Sequence, residues 1–425
     1  MKNKGLCIFK FGGASVKSAQ GVKNLAEIVR NQSNRLIVVV SAMDKTTNAL
    51  ERILSGYLEN HGEFKEQYNQ LKDYHIGIAN ELFSKDNGFV MEALQRIFGQ
   101  MEDFLQEPPV NDYNFTYDQF VPFGEILSST IISLYLKYVG VSNAWMDIRQ
   151  SLISDCNYRE GNIDLALSED LCKKNFCFDK YKLFVTQGFI AGTREGTTTT
   201  LGREGSDYTA ALLANLIDAE SITIWKDVEG VLNADPKTFP NTVKLDEVSF
   251  KEAIELAYCG AQIIHPKTIK PLRNKQISLF VKSFLNPQAN GTLVYQTDKR
   301  IPYPPILIQK TNQVLISLTP LDFSFVIEDC LSKIFSILYK HRVKANLVQS
   351  SAISFSICVD DEEHFLPGAI DELKLSFSVR YNKNLELLTI RHYTQDAIIR
   401  NTSSRLVYLQ QLTRSTARFV MATFA

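Results

Sequence analysis

The chain has 425 residues, 45% of them apolar and 22% charged, with a net charge of −1. That length exceeds one hydrophobic core and predicts two or three domains. The near-neutral balance excludes the electrostatic footprint of a nucleic-acid binder or of a protein held on an acidic membrane, and no apolar run is long enough to cross a bilayer.

The opening MKNKGLCIFKFGG turns into glycines too soon for a secretory signal. GLCIFKF (5–11) and RLIVVVSAM (35–43) read as buried strands, with the amphipathic helix AQGVKNLAEIVRNQ (19–32) between them. That order predicts a βαβ unit and a parallel sheet. Residues 48–110 read as a long helical excursion that covers a site or makes a subunit contact. PFGEILSSTIISLYLKYVG (122–140) is a further helix, entered at Gly124 and Glu125. YKLFVTQGFIAG (181–192) and ESITIWKDVEGVL (220–232) are strands that end in loops. LNPQANGTLVYQTDKRIPYPP (285–305) loses apolar periodicity and is expected to be a linker. Beyond it the order is strand (306–320), helix (326–341), a strand pair (344–360), a second helix near 369–377, a strand at 385–393 and a strand-like tail. Seven scattered cysteines (7, 156, 172, 177, 259, 330 and 358) form no C-x-x-C pair. Reduced thiols in a cytoplasmic protein are expected, with no structural metal site.

Four stretches carry chemistry. In KFGGASVKSA (10–19), adjacent glycines after a strand bare N–H groups that suit a phosphate, and Lys10 adds a mobile cation. A tight turn with a surface lysine would show the same residues. The spacing is neither a Walker A loop nor a G-x-G-x-x-G turn. In TTTTLGREGSDYTAALLANLI (197–217), Gly202 and Gly205 again bare the backbone, and a helix starts near Ser206 or Asp207. Its N-terminus offers free N–H groups and the positive dipole end. Arg203 suits a carboxylate or phosphate, whereas Asp207 suits a helix cap as well as a functional role. Two such loops predict a ligand with several phosphates, or a phosphate donor and an anionic acceptor. In IWKDVEGVLNADPKTFPN (224–241), Asp227 and Asp235 fit a nucleotide pocket at strand ends, or equally a solvated loop. In FGEILSS, Glu125 occupies a first helical turn, favoured by the dipole and available to a substrate ammonium.

In order and spacing, KFGGASV, FGEILSS, TTLGREGSDYTAALLA, WKDVEGVLNADP and EVSFKEAIELAYCGAQIIHPKTI together resemble aspartate kinases of the amino acid kinase family. The resemblance implies an α/β fold for residues 1–298: an αβα sandwich with a mainly parallel eight-stranded sheet. For 299–425 it implies an ACT-type, α+β ferredoxin-like regulatory region with one clear module and a shortened second. It implies ATP with Mg²⁺ on the nucleotide, L-aspartate as acceptor, and 4-phospho-L-aspartate as product. By the same resemblance Lys10 contacts the transferring phosphoryl group, with Gly12, Gly13 and Gly202 as phosphate-binding positions. Ser41, Thr47 and Ser206 hold aspartate, Glu125 pairs with its ammonium and Arg203 with its α-carboxylate. Asp207 organises Lys10, and Lys226, Asp227, Asp235 and Lys237 line the nucleotide side.

Aspartate's side chain has a reference pKa of about 3.9, so no base is needed to make it a nucleophile. His265 is accordingly expected to be a packed loop residue. Three positions depart from the family: Glu204 stands where glycine is usual, Lys226 where threonine is usual and Gln262 where lysine is usual. Lys226 or Lys267 is expected to replace the lost cation. In the regulatory region Asn346, Ser350 and Ser351 fall at effector positions, with lysine the first expectation and threonine the second. Residues of those types also make an ordinary half-buried edge strand. A closed homo-oligomer is expected. The rivals are a glutamate-directed kinase of the same fold and a catalytically weak amino-acid sensor.

Overall fold

GLCIFKF folds at the centre of a sheet, flanked on both sides by parallel strands; this is a computed structural model that describes residues 3–59, 62–83, 87–261, 264–322 and 325–423. Gln262 lies outside those residues. The spatial order of the eight strands is Glu247–Ser249, Thr292–Tyr295, Ser278–Ser283, Ala219–Lys226, Asn3–Phe11, Arg35–Val40, Leu183–Gln187 and Ala144–Met146. Only Ser278–Ser283 and Thr292–Tyr295 run antiparallel to each other. Burial on both faces explains the near-continuous apolar runs. Leu6, Ile8 and Phe11 are fully buried, each contributing about 1.5–3 kcal/mol, so the strand that carries Lys10 is rigidly held.

The chain divides into two units. The first holds residues up to Val231, Lys244–Ile254 and the stretch ending at Lys299; the second holds Leu232–Val243, the stretch beginning at Glu255, and everything from Arg300. The expected excursion is three helices, Thr46–Leu58, Phe64–Leu82 and Gly88–Gln106.

Two sequence readings need correction in the first unit. The expected linker contains the sheet strand Thr292–Tyr295, because Thr292 and Val294 are buried where that strand pairs with Glu247–Ser249 on one side and Ser278–Ser283 on the other. YKLFVTQGFIAG is two strands rather than one. Leu183–Gln187 joins the main sheet and Ile190–Thr193 joins a small three-stranded sheet. Phe189 makes the break at φ +72. Gly188 lies there against Ser206, where an added Cβ would come within 2.5 Å of the serine Cβ.

The second unit has a six-stranded antiparallel sheet, in the order Ala345–Ser350, Phe355–Asp360, Ile306–Pro320, Phe377–Arg391, Thr416–Ala422 and Val407–Leu412. Its first four strands and the helices Glu328–Lys340 and Leu366–Lys374 form one complete βαββαβ module around Ile316, Ile334, Ile357 and Leu373. The shortened second module uses the latter half of Phe377–Arg391, the helix Gln395–Thr402 and the final hairpin. Its fourth strand is the first part of Ile306–Pro320, so two fifteen-residue strands serve both modules. The sequence reading missed the helix Gln395–Thr402 and began the strand 385–393 eight residues too late.

Candidate active site

Lys10 is the last residue but one of the central strand Asn3–Phe11, opposite Val39 and Ile224. Its ammonium lies 2.6 Å from Asp207 Oδ1, and both side chains are nearly sealed from solvent. Asp207 sits in the first turn of the helix Gly205–Leu216. Burial would push its carboxyl up, but Lys10 and then Lys226 outweigh burial and hold it below the usual carboxylate range. Two cations therefore converge on one carboxylate at the carboxyl ends of parallel strands. Asp207 thereby gathers the two positive charges where an incoming phosphate would meet them, while Glu204 adds an opposing anion at the cleft edge.

The glycines divide by role. A Cβ on Gly12 would lie 3.5 Å from the Lys10 ammonium, so this glycine keeps the space above the lysine open. A Cβ on Gly13 would lie 2.6 Å from the Ala42 carbonyl oxygen, so here the close neighbour is the chain's own loop. Asp44 N–H donates to the Gly13 carbonyl, at 3.1 Å, and fastens the two loops together. Gly202 has φ +72, and a Cβ there would approach the Arg159 carbonyl (3.4 Å) and the Lys267 ammonium (3.8 Å). Lys267 thus reaches the second glycine loop.

That Ala42–Asp44 loop also positions Glu125. Gly124 lets the helix Phe123–Tyr138 press against Ala42 and Thr46. Glu125 Oε1 then accepts from Ala42 N–H at 3.2 Å, while Oε2 has no hydrogen-bond partner among the described residues. Burial pushes the Glu125 carboxyl up to about 8, against the opposing pull of the backbone N–H. Lys10, Ser41, Thr47, Glu125, Arg203 and Asp207 all line one cleft of about 770 Å³. Gly202 and Ser206 line it too.

The sequence reading missed Tyr117 and Arg159, which line the same cleft, and the buried Asp118 that braces them. Asp118 is fully buried; its Oδ2 accepts from Arg159 N–H (2.7 Å) and Thr200 N–H (2.9 Å), and its Oδ1 from the Thr200 hydroxyl (2.8 Å). Burial raises its pKa, opposed by these bonds. It ties the helix Tyr113–Phe120 to the loops beside Gly202. Tyr117, on the same helix, donates to Glu51 Oε1 at 2.7 Å. The only local hint was turn chemistry in SDCNYREG, which does not announce a site.

Other expected residues fall elsewhere. Lys226 is half-buried with its charge acting on Asp207, whereas Asp227 is exposed. Asp235 and Lys237 are exposed residues of the second unit, where Asp235 Oδ1 accepts from Lys237 N–H. His265 caps the helix Pro266–Asn274 through Nδ1, which accepts from Lys267 N–H. Asn346 is buried; its amide donates to Gln313 (2.9 Å) and Asp360 (3.0 Å), and its oxygen accepts from Lys310 (2.8 Å). Ser350 and Ser351 are exposed at the far end of that strand, where the Ser351 hydroxyl pairs with Ser354.

Glu204 precedes the helix Gly205–Leu216 at φ +56, a conformation that suits the glycine usual in the motif. Glu204→Gly is expected to relieve strain of about 1 kcal/mol and raise the thermal midpoint by about 1–2 °C. It also removes an anion from the cleft, so KM for ATP should fall by about 2- to 5-fold. Calorimetry and initial rates check both; an unchanged midpoint and KM would show that neither the strain nor the charge matters.

No helix among the described residues is long and apolar enough to cross a membrane, and no group of three metal-ligating side chains occurs there. The sequence matches the amino acid kinase family over residues 5–283. It is 31% identical over 356 residues to lysine-sensitive aspartokinase 3 of Escherichia coli, covering 84% of this chain and 78% of that protein. The fold superposes with TM-score 0.83 and 27% identity on the crystal structure of E. coli aspartokinase III with lysine and aspartate (T-state), covering 98% of this chain and 96% of the other. Against the same enzyme with aspartate and ADP (R-state), the TM-score is 0.83 at 26% identity, with the same coverage.

Proposed function

The chain belongs to the amino acid kinase family, on its aspartokinase branch, and from its site we infer that it transfers the γ-phosphoryl group of ATP to the side-chain carboxylate of L-aspartate. The product is 4-phospho-L-aspartate, at the head of lysine, threonine and methionine biosynthesis. The observation that carries the reading is one cleft lined by the buried Lys10–Asp207 pair and by Glu125, whose Oε2 has no hydrogen-bond partner among the described residues. The first suits a polyphosphate and the second suits an α-ammonium.

In this reading a side-chain oxygen of aspartate attacks the γ-phosphorus, and the bond to the β,γ-bridging oxygen breaks. The electron pair leaves on ADP, and no proton moves. The obstacle is repulsion between two anions, so the protein's work is positioning and charge neutralisation. Lys10 follows the transferring group, and Asp207 keeps its ammonium aimed. Gly12, Gly13 and Gly202 leave backbone donors near the phosphates. Mg²⁺ would enter with the nucleotide, as part of the substrate, and would offset part of the phosphate charge. Ser41, Thr47 and Ser206 orient the acceptor, Glu125 holds its ammonium and Arg203 its α-carboxylate. Lys226 or Lys267 supplies the cation that the motif lacks, and Asp227 lies on the nucleotide side.

Lysine binding at the ferredoxin-like region, with Ser350 and Ser351 as accessible contacts and Asn346 bracing the strand, is the regulatory part of this reading. Its support is the likeness to a lysine-sensitive enzyme that is crystallised with lysine. A closed homo-oligomer follows from general preference. A cytoplasmic setting rests on seven free cysteines.

Hydroxylamine trapping tests the reaction. The purified protein with Mg-ATP and L-aspartate is expected to give the coloured iron–hydroxamate complex. Glutamate in parallel should give about 100-fold less, because one extra methylene displaces either the ammonium from Glu125 or the carboxylate from the phosphorus. Equal yields would favour the glutamate-directed kinase. No yield from a folded, ATP-binding protein would favour the sensor.

A further inference from the structure

We propose that Arg159 is a substrate-specificity residue, a second guanidinium that grips the α-carboxylate of bound aspartate beside Arg203. The proposal rests on the aspartate kinase reading above.

Arg159 occupies φ +74, a conformation that an arginine adopts at a cost and a glycine freely. The fold nevertheless holds it there from both ends. Its backbone N–H donates to the buried Asp118 carboxylate at 2.7 Å. Its guanidinium carbon lies 3.7 Å from the centre of the Tyr117 ring. Tyr117 is itself locked by its hydroxyl bond to Glu51. The side chain is therefore pre-aimed before any ligand enters.

What it is aimed at is a matter of charge. Among the described residues no carboxylate stands within ion-pair distance of the Arg159 guanidinium, yet the residue lines the cleft with Arg203 and Glu125. A guanidinium that faces a cleft and stacks on an aromatic ring keeps its outward N–H donors for a planar anion. Its carbonyl closely approaches Gly202, which places the Arg159 backbone against the loop that leads to Arg203. Glu125 takes the ammonium of the acceptor, and the α-carboxylate is bonded to the same carbon as that ammonium. A carboxylate accepts about four hydrogen bonds, enough for two arginines. Arg203 is exposed, so Arg159 is the more buried of the two cations. The side-chain carboxylate of aspartate must stay free of such clamps in order to attack.

The test compares wild type with Arg159→Gly and Arg159→Lys, using L-aspartate and L-isoasparagine, whose α-carboxylate is an amide. Glycine suits φ +74, so the first variant should fold at least as well as wild type, and a thermal melt checks that. The aspartate KM of Arg159→Gly should rise about 10- to 100-fold while KM for ATP stays within about 2-fold. The preference of wild type for aspartate over isoasparagine, as a ratio of kcat/KM, should shrink by the same factor. Arg159→Lys should fall between, because it keeps the charge without the fork. A structural role alone would not move the isoasparagine ratio. An unchanged aspartate KM and ratio in Arg159→Gly would overturn the proposal, as would a rise confined to the ATP KM. If wild type itself forms no hydroxamate from aspartate, the kinase reading fails first and the proposal falls with it.

Discussion

Replacing Lys10 by alanine is expected to lower kcat for aspartate phosphorylation by about 10³-fold, with little change in KM for aspartate. The size follows from where the charge sits. The Lys10 ammonium is nearly sealed from solvent and 2.6 Å from Asp207 at the end of a strand buried on both faces. Water cannot replace it there, and the transferring phosphoryl group carries most of its charge on the equatorial oxygens. The same change strips Asp207 of its nearest cation. Breaking one side of a buried pair costs about 3–5 kcal/mol, so the variant should also melt earlier. Asp207→Asn separates the two effects. It leaves Lys10 charged but unaimed, and should lose about 10²-fold in kcat with a smaller loss of stability. The double variant should be little worse than Lys10→Ala alone, because the pair acts as a unit. A folded Lys10→Ala protein that keeps a tenth or more of wild-type kcat would remove Lys10 from the chemistry.

Much of this centre was legible in the sequence because its parts are local. A strand that runs into two glycines, and a glycine loop that opens a helix with an acid in its first turn, each announce themselves within about ten residues. What was hidden depends on distant partners. Gly13 is a glycine because Ala42 comes within contact of its backbone, and nothing near Gly13 says so. Thr292–Tyr295 looks like linker because it is short and one of its two partners, Glu247–Ser249, lies more than forty residues upstream. The strand Phe377–Arg391 was read only from Leu385 because it serves two modules, and a module boundary inside a continuous strand leaves no turn signal. Arg159 was invisible for a different reason: a positive φ is legible from glycine, rarely from arginine, and its supports Asp118 and Tyr117 lie about forty residues upstream.

Glu125→Gln is expected to raise the aspartate KM by about 10²-fold and to abolish its pH dependence. In the ligand-free enzyme burial holds the Glu125 carboxyl at about 8, so below that pH the group is mainly neutral. An ammonium needs the carboxylate, and its arrival makes the charged form the favoured one. Aspartate binding must then expel a proton below pH 8. Affinity should rise up to tenfold per pH unit between about pH 6 and 8, then level off. Calorimetry in buffers of different ionisation enthalpy reads the released proton directly, and Glu125→Gln should release none. Stability moves the other way. A carboxyl whose folded pKa is raised above its unfolded value contributes stability that is complete below about pH 4.5 and is lost as pH climbs through 8. The ligand-free wild type should therefore melt progressively earlier across that window, while Glu125→Gln melts almost independently of pH. Saturating aspartate should restore the wild type at high pH, because the bound ammonium supplies the missing partner of Oε2. A wild type that binds aspartate equally well at pH 6 and pH 8 with no proton release would show that Glu125 does not meet the ammonium. The role would then pass to another acid of the cleft, with Glu51 the next to replace.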